Sequence, residues 1–329
     1  MRLSPIANPS VWTGTELSQR EEWIHHLSSI ELGEINQLQH QDAERIEKAA
    51  PHLYERLLKI QQSLELGTGA VMIRGLQLED RAVDQWADFF QNISAVVGQP
   101  ISQSASGQLI FSVRDAGFAD NDKRARGPNT RKKLSFHTDR CDVIGFLCLQ
   151  QAKSGGENQL VSSGALFNQI LDERPDLLRV LMQPFRYLRH TIDTQNDRPY
   201  TEQPIFSFCE GYFAANFLRV LIDRADAHPD CPNLSTVQKE SLDFLESVAA
   251  RPEMHHTFRQ QPGDILFLNN WVTMHRRTAF EDHESEALRR HILRVWLSMP
   301  NSRPIDPMFA GNYGATAAGA IRGGIRAAN

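Results

Sequence analysis

From Gln108 onward the chain is cut into short apolar segments separated by polar or Gly- and Pro-containing turns. Segments 109–113, 143–150, 159–163, 185–190, 205–208, 212–217, 254–258, 264–268 and 290–298 are strand-length and too brief for packed helices. Strands of that size need a second layer to cover their apolar face, which constrains this part of the chain to facing sheets. Helical spacing is concentrated before residue 108. Trp23, Leu27, Ile30 and Leu38 read as one apolar stripe. A second helix is expected from Asp42, as its N-cap, towards Leu64, with a break near Pro51. A third follows Asp80 through Trp86, Phe89, Phe90 and Ile93 and stops at Gly98-Gln99-Pro100. Further helices are expected over 166–182, broken near Pro175, and over 235–250. The expected fold class is α+β. Its core is a double-stranded β-helix, or jelly roll, with N-terminal helices and a helical insert. One domain spans 1–329, with a helical region at 1–65, the core at 66–329 and the insert at about 164–260.

Composition excludes several classes. A chain of 329 residues with 41% hydrophobic and 23% charged residues has the make-up of an ordinary globular protein. Its net charge of -5 and lack of a long basic run argue against nucleic acid as an obligate partner. The locally basic residues 123–126 and 131–133 sit in a polar loop over 115–133. The N-terminal residues lack the apolar centre of a signal peptide, and the apolar run 143–149 is too short to span a bilayer. Four cysteines without a CxxC pair imply a reduced, cytoplasmic setting, and a homo-oligomer is left open. Cys141 reads best as a small buried hydrophobe.

Within the strand region, His137-Thr138-Asp139 stands out. On an extended backbone, i and i+2 side chains share a face, so one imidazole and one carboxylate point together. With one distant histidine they make a two-His, one-carboxylate facial triad, the donor set suited to non-haem iron(II) with positions left open. His275 is the best third candidate among twelve histidines, because a buried strand precedes it and arginines follow. His190, His255, His256, His283 and His291 lack that context. Taken alone, a His-x-Asp pair is more often a satisfied polar contact than a metal site.

The order of parts extends the signal: His137-Thr138-Asp139, then Ser154-Gly155-Gly156-Glu157, then the block from His275 to Arg294. On these residues the chain resembles the taurine/2-oxoglutarate dioxygenase family, the clavaminate-synthase-like iron oxygenases, from about Ala70 to Arg326. The resemblance implies that His137, Asp139 and His275 hold Fe(II). It implies 2-oxoglutarate as cosubstrate and dioxygen (O2) as oxidant, with succinate and carbon dioxide released. It further implies that Arg290 binds the distal carboxylate of 2-oxoglutarate, with Arg294 nearer the metal-side carboxylate. A guanidinium suits a carboxylate because its planar fork donates two parallel hydrogen bonds. Arg290 and Arg294 share a strand face, whereas Arg289 and His291 alternate away. Asn158 stands where such proteins carry Thr or Ser. Its amide can donate the same hydrogen bond, or it is a turn residue and Ser162 or Ser163 helps instead.

Trp271 and Trp296 flank the site and are expected in the core. Arg140 and Asp142 either tune the ligands or form a structural ion pair. The Ala320–Ile325 stretch of the C-terminal tail is expected to pack. The expected function is an iron(II)- and 2-oxoglutarate-dependent oxygenase hydroxylating a small organic acid or amino-acid-like substrate. The competing readings are a zinc hydrolase on the same ligands and a non-catalytic jelly-roll module that binds a small molecule.

Overall fold

The computed structural model describes residues 3–38, 43–78, 81–118, 129–189 and 198–326. Its largest sheet has strands in the order Ile24–His26, Ala70–Arg74, Ile265–Asn269, Val143–Gln150, His291–Ser298 and Gln99–Ile101. Ile110–Val113 also pairs with His291–Ser298. A three-stranded sheet runs His255–Phe258, Asn158–Ser162, Thr273–Arg277. Alternation divides each strand between two environments. Val71, Ile73, Val143, Leu147, Ile265, Phe267, Leu293 and Val295 face outward, under the Pro51–Leu66 and Val83–Val97 helices. Ala70, Met72, Ile144, Leu266, Leu268 and Trp296 face inward and meet Leu160 of the smaller sheet. The two sheets therefore pack face to face. Gly145 is required at the centre, because a Cβ there would lie 2.7 Å from both the Phe267 ring and a Val295 methyl.

A second apolar body covers the outer face of the smaller sheet. Val161 and Met274 join Phe136 and the apolar faces of the Ser163–Glu173, Pro175–Leu181 and Thr236–Ala249 helices. The hairpins Phe185–Leu188/Tyr200–Gln203 and Phe206–Cys209/Tyr212–Ala215 and the Arg219–Asp226 helix complete it. The His255–Phe258 strand, inside the expected 164–260 insert, pairs with Asn158–Ser162 and so belongs to the smaller sheet. None of the described helices is long and apolar enough to cross a membrane.

The N-terminal stripe is a correction. Ile24–His26 is a strand that pairs in parallel with Ala70–Arg74, and Ile30 is 57% exposed. The helix starts only at Ser29, where Ser28 and Glu31 form a capping box. Edge pairing with a buried strand prevails over a weak helical period. The expected caps Asp42 and Asp80 lie outside the described residues, as do His190 and residues 119–128 of the 115–133 loop, including 123–126. Pro51 opens its own helix at the first position, separate from Ala43–Ala49.

The C-terminal stretch is packed through charge. Arg322 donates through Nε to Asp142 Oδ1 at 2.6 Å and through Nη2 to the Arg303 carbonyl at 2.8 Å. Asp142 also accepts from Trp271 Nε1 at 2.7 Å and from the Met299 amide at 2.9 Å. The side chains of Arg322 and Asp142 are 0% and 1% exposed. Removing one member of such a pair strands the other charge, at a cost of about 3–5 kcal/mol. Arg322→Met, which fills the volume but carries no charge, is predicted to lose that much stability in urea unfolding. A loss below about 1 kcal/mol would show that water reaches Asp142 once its cation is gone.

Candidate functional site

The site lies between the two sheets, and alternation aims its residues there. His275 pairs with Leu160, which faces inward, whereas Met274 pairs with Val161, which faces the outer helices. Arg294 pairs with Phe146 and lies between the outward-facing Leu293 and Val295. His137 joins the free side of the Thr273–Arg277 strand. Its amide donates to the His275 carbonyl and the His275 amide donates back, both at 3.0 Å. This doubly bonded antiparallel pair sets the imidazole rings side by side, with centroids 4.5 Å apart.

Asp139 completes the cluster. One ligand atom from each of His137, Asp139 and His275 lies within 4.8 Å of the others, the only such group among the described residues. Asp139 Oδ2 is 3.4 Å from His275 Nε2 and 3.7 Å from His137 Nε2. It is buried and has no hydrogen-bond partner among the described residues. A buried carboxylate oxygen left so costs about 1–3 kcal/mol or more, unless a cation takes the place of the missing donor. His137 Nδ1 lies 2.9 Å from the Ser135 carbonyl; only a protonated Nδ1 can donate there, which leaves Nε2 as a lone pair facing the cluster. Burial pushes the His137 imidazole down to about 4, and His275 adds to this against the pull of Asp139. Burial acts to raise the Asp139 carboxyl, but His275 and the Arg294 guanidinium prevail and hold it well below the usual carboxylate range. A neutral imidazole and an ionised carboxylate are the protonation states a divalent metal needs. The donor set and the unspent oxygen both fit iron(II).

The ligand loop is held from three directions. The Asp139 amide donates to Asn270 Oδ1 at 2.9 Å. Thr138, pointing the other way, accepts from the Phe217 amide at 3.0 Å and from Asn216 Nδ2 at 3.1 Å. Asn216 also donates to Tyr313 Oη at 2.6 Å, and Tyr313 Oη donates to the Asp139 carbonyl at 3.4 Å. The Asn216 and Tyr313 supports escape a motif search, because they lie far along the sequence from His137 and Asp139.

Arg294 Nη1 is 3.5 Å from Asp139 Oδ1, and its Nε donates to Gln103 Oε1 at 2.7 Å. Its guanidinium lies 5.1 Å from both the Phe111 and Trp296 rings. Arg290 is buried beside Gly156, where a Cβ would lie 3.5 Å from Arg290 Nε. Gly155 and Gly156 both have left-handed backbone, φ 71° and 75°, which favours glycine, and at Gly155 a Cβ would lie 2.2 Å from the Ala279 carbonyl oxygen. Burial pushes Arg290 down to about 10. Arg289 is exposed and donates to the Glu284 carbonyl at 3.2 Å; His291 turns to Ser112 Oγ at 3.0 Å. Asn158 uses one amide N–H on Gln260 Oε1 at 3.1 Å. Ser162 caps the helix that follows, accepting from Ala165. Trp271 is core, bonded to Asp142, and Cys141 is fully buried against Asn270. Arg277, absent from the motif reading, is buried two residues beyond His275. Burial and then Arg290 push it down to about 9.

Residues 34–296 match the family described as taurine catabolism dioxygenase TauD, TfdA family. The chain is 32% identical over 323 residues to FR-33289 synthase of Streptomyces rubellomurinus, across 91% of this chain and 92% of that protein. It is 25% identical over 332 residues to taurine hydroxylase-like protein SAT17 of Stachybotrys chartarum, across 91% and 83%. The fold is shared with asparagine oxygenase, solved with Fe(II), 2S,3S-3-hydroxyasparagine and succinate, at a TM-score of 0.64 and 16% identity over 84% of this chain and 93% of that one. It is also shared with the non-heme iron oxygenase OrfP, solved with Fe and alpha-ketoglutaric acid, at a TM-score of 0.63 and 14% identity over 84% and 94%. The chain therefore belongs to the TauD, TfdA family of iron(II)- and 2-oxoglutarate-dependent dioxygenases.

Proposed function

We propose that this dioxygenase hydroxylates a small organic acid or amino-acid-like substrate and releases succinate and carbon dioxide. The reading takes the facing sheets as a double-stranded β-helix and residues 1–329 as one catalytic domain. His137, Asp139 and His275 hold iron(II), and Arg290 holds the distal carboxylate of 2-oxoglutarate. Arg294 supports the metal-side end, and Asn158 offers its remaining amide N–H. The observation that carries the reading is the convergence of three ligand atoms on one point, with Asp139 Oδ2 unspent. The substrate class draws support from asparagine oxygenase and from OrfP, which is solved with (3S)-hydroxy-L-Arg.

Iron with 2-oxoglutarate supplies an oxidant able to break an unactivated C–H bond. The protein's own groups do the rest. Ser135 keeps His137 Nε2 unprotonated through Nδ1. Asn270 and Tyr313 fix the backbone on either side of the Asp139 side chain and so set where its carboxylate starts. Gln103 locks the plane of Arg294 between two aromatic rings. These rings and Phe146, 5.7 Å from the His275 ring, keep water from the inner side of the site.

Titration of metal-free protein with iron(II) under anaerobic conditions is expected to give one site per chain, lost in His275→Ala. Unchanged stoichiometry in that variant would overturn the ligand assignment. The loaded enzyme is expected to release succinate with at least one member of a panel of small acids and amino acids. The cosubstrate assignment has its own test. Arg290→Ala should weaken 2-oxoglutarate binding by about 2–5 kcal/mol, the cost of breaking a buried charged pair. Arg289→Ala, at an exposed position, should change it by less than about 0.5 kcal/mol. Equal losses in calorimetry would place the carboxylate elsewhere.

A further inference from the structure

Arg277 faces the same inner space as His275, two residues along the Thr273–Arg277 strand. It is 6% exposed. Its Nη2 donates to the Thr130 carbonyl at 2.9 Å and to the Lys132 carbonyl at 2.8 Å. Its Nη1 is buried and has no hydrogen-bond partner among the described residues. The Arg277 guanidinium lies 4.5 Å from the Phe280 ring, and that of Arg290 lies 5.4 Å from the same ring. Arg290 Nε is likewise buried without a hydrogen-bond partner among the described residues. Across the strand ladder Arg277 is paired with Asn158. Asp282 is close to both arginines and Asp115 acts on Arg277; Asp282 Oδ1 accepts from the Arg290 backbone amide at 2.8 Å, and its Oδ2 bonds to neither guanidinium. One ring is thus flanked by two buried cations, each with an N–H left over. A buried cation with unspent donors is costly unless an acceptor reaches it.

We infer that Arg277 is a second cationic anchor for the distal carboxylate of 2-oxoglutarate, acting with Arg290. The inference rests on the assignment of Arg290 to that carboxylate. It also accounts for Asn158: where one amide donor is already spent on Gln260, the residue opposite it supplies a charged one. The anchor has a further link. The Leu134 amide donates to the Arg277 carbonyl at 3.0 Å, and the chain then runs to His137. One residue therefore touches both the cosubstrate end of the site and the segment that carries the first metal ligand.

The test is anaerobic calorimetry of the iron(II)-loaded protein with 2-oxoglutarate, beside an iron(II) titration of the metal-free protein. Arg277→Gln removes the charge and keeps a donor for the Thr130 and Lys132 carbonyls. It should weaken 2-oxoglutarate about tenfold or more, as expected for a charge-assisted hydrogen bond, with iron(II) affinity unchanged. Arg277→Lys keeps the charge and should retain more affinity than Arg277→Gln. Wild-type 2-oxoglutarate affinity in Arg277→Gln overturns the inference, as does the reverse order of the two variants. A parallel loss of iron(II) affinity also overturns it, since the arginine would then serve only to hold the ligand segment. Arg290→Ala is the control. If it too binds 2-oxoglutarate normally, the cosubstrate site itself is misassigned. If it fails while Arg277→Gln binds normally, only the second anchor falls.

Discussion

The site depends on a backbone contact before any side chain. His137 and His275 exchange two amide–carbonyl hydrogen bonds, and this pair fixes where both imidazoles start. A doubly bonded antiparallel pair leaves little freedom in the separation of its Cα atoms. A shift of one residue would turn either side chain to the opposite face. Outward, Phe136 and Met274 pack under the insert helices and Thr138 accepts from Phe217 and Asn216. Those outward contacts thus enforce the register, and the register aims His137 and His275 inward. The smaller sheet is stabilised by its apolar outer face and used on its inner one.

Charge is distributed with similar economy. Along the inner face, Arg294 sits by the Asp139 carboxylate, while Arg290 and Arg277 sit further on around Phe280. One acid is matched to one arginine at the metal end, and an excess of cation remains at the other. Such a gradient suits an elongated dianion that meets a metal at one end and guanidinium at the other. Behind this face, Asp142 and Arg322 form a closed pair with no unspent role, although Asp142 is only three residues from Asp139. The difference lies in partners. Asp142 has its hydrogen bonds supplied by Trp271, Met299 and Arg322, whereas Asp139 Oδ2 has none.

Much of this was legible from periodicity. Val143–Gln150 is an almost unbroken apolar run that is covered on both faces, and the strand ending at Ser298 separates Arg290 from Arg289, as burial bears out. The His-x-Asp spacing needs only an extended backbone to bring two donors to one side. What escaped notice has a common physical character. Arg219–Asp226 is only eight residues long, with Val220, Leu221 and Ile222 bunched together, and it is held by packing against Phe185–Leu188, so it is too short for a period to announce it. Ile24–His26 is a strand only because a partner edge is available. Arg277 looks like ordinary strand charge until its burial and its unspent N–H are seen. Asn216 and Tyr313 act on Thr138 and Asp139 from far along the chain, and no local pattern encodes a contact whose worth depends on a distant neighbour.

The separations in sequence have a consequence for synthesis. The Asp139 amide waits for Asn270, 131 residues later, and Asp142 waits for Arg322, 180 residues later. Contacts this remote form slowly and late. A chain emerging from the ribosome therefore carries His137 and Asp139 for a long interval as an ordinary polar segment, without the third imidazole or the buried pair behind them. Two donors on a loose segment hold a divalent ion weakly. The three side chains that could hold a metal ion therefore come together only after most of the described chain has been made.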